Sequence, residues 1–172
     1  IQSGKTTMKL DRVKLSDILE GTIILIKESS KEREIVVEIG PDLPAVLIDR
    51  DKFGQVIGNL LSNAVKYSPG GGRVILSAHI DKERNQVVVS VGDKGVGIGP
   101  EDRASLFTTF HRIQRPETQG IKGSGLGLYI AKEWTEAMGG KIWLESELNK
   151  GSTFFVGIPI RDSNGASGTE PV

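Results

Sequence analysis

From Asp51 to Tyr67 the residues Phe53, Val56, Ile57, Leu60, Leu61, Ala64 and Val65 recur at helical spacing and form one wide apolar stripe, which "SPGGG" at 68–72 then ends. Such a helix must bury its stripe against a second layer. With 172 residues, 37% of them apolar, the chain has material for one globular domain with a proper core. Beside the stripe Asn59 and Asn63 stand four apart and Lys66 three further on, which aligns them on one polar strip. Asparagine costs a helix about 0.5–0.7 kcal/mol relative to alanine at each site. The strip is either a solvated helix edge, or amide oxygens offered to a hard cation with the lysine near phosphate, since Mg²⁺ takes oxygen ligands while bridging to substrate phosphates.

The remaining pattern supplies the partners for that stripe. Residues 1–15 are polar and without a sustained period, so they read as a linker or the end of a preceding element. Ser16 is placed to cap a helix carrying Ile18, Leu19, Thr22, Ile23 and Ile26. Short runs at 34–39 and 45–49, parted by Gly40, Pro41, Asp42 and Pro44, read as strands. "RVILSAHI" (73–80) and "QVVVSVG" (86–92) alternate as a half-buried strand pair, with a glycine-rich loop and a short helix near Pro100–Leu106 after them. Residues 107–124 lack a period, as a functional lid or a disordered segment would. A helix with Leu126, Tyr129, Ile130, Trp134 and Ala137 on one face comes next, stopped by glycines 139 and 140. Strands at 141–146 and 153–160 close the domain, and the tail 161–172 is too polar to order itself.

Lysine plus arginine balance aspartate plus glutamate at 22 each, so the overall charge does not argue for a nucleic-acid or membrane-surface partner. The absence of cysteine removes disulfides and thiolate metal sites and fits a reducing compartment. The sequence has neither an apolar run of about 18 residues nor a signal-peptide pattern. It begins at Ile1, not Met, from which we expect a piece of something longer, with room for a membrane anchor outside it.

Chemistry concentrates at two glycine-rich stretches. In "IKGSGLGLYIAK" (121–132) Gly123, Gly125 and Gly127 precede a helix, an arrangement that lets backbone N–H groups meet an anion. The dinucleotide fingerprint fails there, because its last glycine position is Leu128 and no strand precedes it. "SGKTT" (3–7) resembles the end of a P-loop but has no strand before it, and a lysine in a linker is the plainer reading. In "VVVSVGDKGVGIGPED" (87–102) Asp93 ends an apolar strand, where its carboxylate needs a donor, and Gly95, Gly97 and Gly99 permit tight turning and close ligand approach. An ordinary Asp-containing turn is the alternative.

Taken together, these pieces resemble the ATP-binding catalytic domain of sensor histidine kinases, in the Bergerat or GHKL nucleotide-binding superfamily. "NLLSNAVKYS" (59–68) is similar to its N box, "DKGVGIG" (93–99) to its G1 box, "LFTTFHR" (106–112) to its F box, "GSGLGL" (123–128) to its G2 box and "KGST" (150–153) to its last short motif. The resemblance runs in order over roughly residues 16–160.

It implies an α/β fold, a two-layer sandwich in which helices cover one face of a mixed sheet beside a mobile ATP lid. It implies that Asn63 coordinates Mg²⁺ on the ATP phosphates, that Asn59 supports the site, and that Lys66 reaches the phosphates. Asp93 would accept from the adenine amino group, with Tyr67, Ile98 and Leu128 as apolar walls and Thr153 holding a water nearby. Gly95 and Gly97 would let the loop approach the nucleotide. Gly123, Gly125, Leu126 and Gly127 would bring backbone N–H groups to phosphate, Arg112 would steady the γ-phosphate, and Lys122 would assist. Phe107 and Phe110 would pin the lid, whose cations Arg112, Arg115 and Lys122 outnumber Glu117.

The activity implied is transfer of the ATP γ-phosphoryl group to a histidine on a dimerisation domain, within a cytoplasmic two-component phosphorelay that ends on a response regulator. Neither His79 nor His111 lies in a phosphoacceptor setting, so that domain is expected to be absent, with 1–15 its linker, 16–160 the catalytic domain and 161–172 a disordered tail. The fragment is expected to be a monomer and its parent a homodimer. Lys94, and the "TT" at 108–109, depart from the family's usual residues and leave the lid contacts open. The rivals are an ATPase of the same superfamily and a nucleotide-sensing module without transfer. Those ATPases carry a Glu four residues before the metal-binding Asn, where this chain has Asn59, and an amide is no general base at neutral pH.

Overall fold

The long apolar stripe forms helix α2, Arg50–Lys66, and Phe53, Val56, Ile57, Leu60, Leu61 and Ala64 are buried along it. The structure is a computed structural model, which describes residues 7–30, 33–108, 116, 120–121 and 123–161. The sequence expectations for Phe110, His111, Arg112, Arg115, Glu117 and Lys122, and for the tail beyond 161, lie outside the described residues. Asp49 caps α2, accepting the Lys52 N–H at 3.1 Å. At the other end Gly71 and Gly72 take positive φ of 87° and 101°, which turns the chain away.

A five-stranded sheet lies beneath α2 in the order β2-β4-β5-β7-β6. Its strands are β2 (Ile35–Ile39), β4 (Val74–Asp81), β5 (Gln86–Asp93), β6 (Lys141–Glu147) and β7 (Gly151–Pro159). Only the β2–β4 pairing is parallel, so the sheet is mixed as expected. Alternation sends Val74, Leu76 and Ala78, Val87, Val89 and Val91, and Phe154, Val156 and Ile158 to the helix side, where all are buried. Helices α1 (Leu15–Ser29), α2 and α4 (Gly127–Ala137) cover that face, with the short α3 (Pro100–Arg103) between β5 and α4. The expected two-layer α/β sandwich is therefore observed. No helix among the described residues is long and apolar enough to cross a membrane.

Three local expectations are corrected. Ser16 does not cap α1, because Leu15 is already part of the buried stripe and draws the helix start to itself; Lys14 is the capping position and Ser16 instead bonds to Asp17 at 3.3 Å. Asp11–Val13, read as linker, forms strand β1, antiparallel to β3 (Val46–Ile48). On α4 the buried positions are Ala131 and Thr135, followed by Met138 just past its end, while Ala137 is exposed and Trp134 only partly covered. The small residues Ala131 and Thr135 let α4 pack closely on α2, a demand that an apolar count does not register.

Candidate functional site

On α2 the polar strip is as its spacing requires: Asn59, Asn63 and Lys66 face one cavity of about 210 Å³, together with Ser62 and the capping residue Tyr67. The carboxamide of Asn59 donates to the Gly127 carbonyl at 3.2 Å, tying the middle of α2 to the first turn of α4. Among the described residues the Asn63 amide has no such bond and is half-buried. Lys66 is exposed at the rim.

Opposite α2, the loop that leaves β5 is clamped on both sides. The Val96 N–H donates to the Tyr67 carbonyl at 3.1 Å, and the Asn149 N–H donates to the Val96 carbonyl at 2.8 Å. The Ile98 N–H reaches the Ser146 hydroxyl at 2.8 Å. Gly95 does not line the cavity, but a Cβ there would fall on the Tyr67 carbonyl, so glycine is what lets the loop close on the end of α2. Gly97 lines the cavity with φ of 65° and lies equally tight against the Glu147 carbonyl.

Asp93 ends β5 half-buried in the cavity wall. Its Oδ1 accepts the Gly95 N–H at 2.7 Å. The Ser68 hydroxyl, which also donates to the Ala64 carbonyl at 2.8 Å, stands 3.4 Å from the same oxygen. Burial raises its pKa above the ordinary carboxyl value, and donation from Gly95, Ser68 and the Ser152 N–H opposes the rise without cancelling it.

Gly123, Gly125 and Gly127 line the third side, with Gly125 at φ of 71°, and Leu126 is the N-cap position of α4, its N–H turned to the Ser124 hydroxyl at 3.3 Å. Ile98 and Leu128 supply apolar wall, as expected, and Val96, Leu106 and Phe154 extend it. Phe107 is anchored edge-on to Phe154 with ring centroids 6.3 Å apart, while Arg112 and Lys122 lie outside the described residues.

One expectation is displaced by a single residue. Ser152, not Thr153, lines the cavity, pairing with Asp93 across β5 and β7. Ser152 and Phe154 point to the helix side, and strand alternation sends Thr153 to the other face. Residue type alone did not separate the two neighbouring hydroxyls; the register of β7 against β5 does. Ser62 and Ser124 were also missed, though Ser62 could have been found three residues after Asn59 on the same helix face.

The cavity has two unlike ends. Asp93 and Val96 lie by Ser68 and Tyr67, and Gly127 with the N-terminal turn of α4 lies by Asn59, about 12 Å away along α2 at 1.5 Å per residue. Such a site suits an elongated ligand, flat and apolar with a hydrogen-bond donor at one end and anionic at the other.

Comparison with known proteins agrees. Residues 48–162 match the family model described as histidine kinase-, DNA gyrase B-, and HSP90-like ATPase. The sensor histidine kinase WalK of Bacillus subtilis is 39% identical over 143 residues, which cover 81% of this chain but 23% of that protein. The solved structure of full-length ShkA in complex with AMPPNP aligns with a TM-score of 0.75 at 30% identity, over 89% of this chain and 31% of that one. The catalytic domain of histidine kinase ThkA, in a nucleotide-free form, aligns at 0.74 and 29% identity, over 88% of this chain and 96% of that one. The chain thus spans less than a quarter of WalK's length but nearly all of an isolated catalytic domain. It belongs to the histidine kinase-, DNA gyrase B- and HSP90-like ATPase family, as an ATP-binding catalytic domain of the sensor histidine kinase kind.

Proposed function

We propose that this chain binds ATP with Mg²⁺ and transfers the γ-phosphoryl group to a histidine on a separate dimerisation domain. The observation that carries this reading is one cavity lined by Asp93, Asn63, Lys66 and the glycines 123, 125 and 127, with Asp93 beside Ser68 at one end and Gly127 beside Asn59 at the other. Asp93 accepts from the adenine amino group between Tyr67, Ile98 and Leu128. The N–H groups of Gly125 and Gly127 receive phosphate, helped by the positive end of α4, and the Leu126 N–H joins them by leaving the Ser124 hydroxyl. Lys66 adds charge from the rim, and Arg112 and Lys122 are assigned to the phosphates on the family resemblance.

The donor set fits Mg²⁺. Among the described residues there is no group of three or more His, Cys, Asp or Glu able to cage a metal, and Asn63 offers an amide oxygen to the cavity free of internal hydrogen bonds. A hard cation that keeps several waters and shares the phosphates needs little more from protein. When bound, it would neutralise phosphate charge as the γ-phosphorus bonds to an imidazole nitrogen and parts from the β–γ bridging oxygen, with ADP leaving. The chain's own part is positioning, which is most of what phosphoryl transfer requires.

Asn59 speaks for transfer over hydrolysis. Its amide cannot take a proton from water at neutral pH, and it is already engaged with Gly127. The acceptor histidine is assigned to a dimerisation domain of the same parent, a homodimer that relays onward to a response regulator in the cytoplasm. The catalytic unit in that parent would run from β1 at Asp11 to residue 160, with a linker before it and a tail after it.

The test supplies radiolabelled ATP, Mg²⁺ and a histidine-containing dimerisation domain from a related kinase in trans. Label on that domain's histidine, lost with Asn63→Ala, is expected. Tight ATP binding without labelled histidine, or rapid hydrolysis abolished by Asn59→Ala, would overturn the reading.

A further inference from the structure

We infer that Ser146, acting through Ser152, sets the base selectivity of the cavity, an inference that rests on the nucleotide reading above. Ser146 lies on β6 directly opposite Ser152 on β7, and Ser152 in turn pairs with Asp93 on β5. Ser146 does not line the cavity; Ser152 does, and it is 7% exposed. The Ser146 backbone is pinned as well, since its carbonyl accepts from the Arg103 guanidinium.

Counting protons fixes the direction of each bond. A serine hydroxyl has one proton to give and two lone pairs to accept with. The Ser146 oxygen stands 2.8 Å from the Gly151 carbonyl, which can only accept, so the Ser146 proton goes there. What remains on that oxygen accepts the Ile98 N–H at 2.8 Å and faces Ser152 at 2.9 Å. Ser152 must therefore be the donor in that pair, and its single proton is consumed. It turns only lone pairs toward the cavity, beside a carboxylate that also accepts. The Asp93 end of the cavity is thus a surface of acceptors. It favours a base edge carrying an exocyclic amine and opposes one carrying a carbonyl at the same place, the difference between adenine and hypoxanthine. Without Ser146 the Ser152 proton is released to serve a carbonyl, and the Ile98 N–H loses its partner.

Ser146 is a positioning residue, so its test must read selectivity and not affinity alone. Binding of ADP and of inosine diphosphate, each with Mg²⁺, is measured by calorimetry on the whole chain. The chain is expected to prefer ADP, and Ser146→Ala is expected to narrow that preference about tenfold, the worth of one ordinary hydrogen bond. Ser152→Ala should narrow it similarly, and the double variant no further, because both changes act on the same proton. Equal weakening of both nucleotides by Ser146→Ala, with the preference kept, would overturn the inference and leave the nucleotide reading standing. Failure of the unaltered chain to bind either nucleotide would overturn both. If Ser146→Ala shows no cooperative thermal transition, Ser152→Ala decides alone, and an unchanged preference in it overturns the inference.

Discussion

At Asp93, what stability asks for and what binding asks for diverge. Burial raises the pKa of this carboxyl, so its contribution to stability is fully present below the ordinary value of 3.8 and is lost as pH rises through the higher folded value. Asp93→Asn keeps an oxygen for the Gly95 N–H and removes the charge. It is expected to gain stability relative to the unaltered chain as pH rises, while ATP affinity falls roughly ten- to a hundredfold with loss of a charged hydrogen bond. Urea unfolding across pH, beside calorimetry at neutral pH, checks both halves; a variant less stable at every pH would contradict the first. Gly95 makes the opposite point, since a methyl group there meets backbone and not a yielding side chain. Gly95→Ala should cost about 2 kcal/mol or more and weaken ATP binding together, read as a lower urea midpoint and a larger dissociation constant. Both residues were legible in the sequence because a carboxylate at a strand end with alternate glycines after it is a local pattern. Ser152 was not, because which of two adjacent hydroxyls faces inward is fixed by a strand distant in sequence.

Among the elements, α2 does the most positioning, and its start is held as firmly as its site. The Asp49 carboxylate is buried, yet the N–H groups of Lys9 and Lys52 and the Lys52 ammonium outweigh that burial and hold its pKa at about 2. Lys52 also reaches the Thr7 carbonyl at 3.0 Å, so the cap of α2 doubles as the fastening for the strand that precedes α1. A carboxylate with a lowered pKa stabilises the fold fully above its ordinary 3.8 and gives that up as pH falls through about 2. Asp49→Asn retains a capping oxygen without the charge. It should be about 1 kcal/mol less stable at pH 7, and most of that deficit should be gone at pH 2, with Asp49→Ala losing the cap at both pH values. Urea midpoints of the three proteins at the two pH values provide the check. The body of α2 was plain from its stripe, as were the four long strands from their alternation. The start of α1, the strand β1 and the inner face of α4 were not. A strand of three residues leaves no period to read, and α4 turns small residues inward because α2 lies close.

For the molecule as a whole, the cavity exists only when α2, the β5 loop, the start of α4 and β7 are assembled, so whatever fills it holds all of them together. A ligand that binds only the folded state adds about 2.7 kcal/mol at a hundred times its dissociation constant. For a domain of this size that is roughly a 5–10 °C rise in Tm. The division of that rise tests the two-ended reading. Asp93 and the apolar walls are assigned to the base whether or not a metal is present, whereas Asn63 is assigned to the metal alone. Chelating Mg²⁺ with EDTA should therefore lower the ATP-induced rise to the value that Asn63→Ala shows with Mg²⁺, and EDTA should remove nothing further from that variant. Asp93→Asn should behave differently, losing part of the rise with and without the metal and remaining responsive to EDTA. Should Asn63→Ala stay as sensitive to EDTA as the unaltered chain, the metal would be held elsewhere and the division of the cavity proposed for ATP would fail.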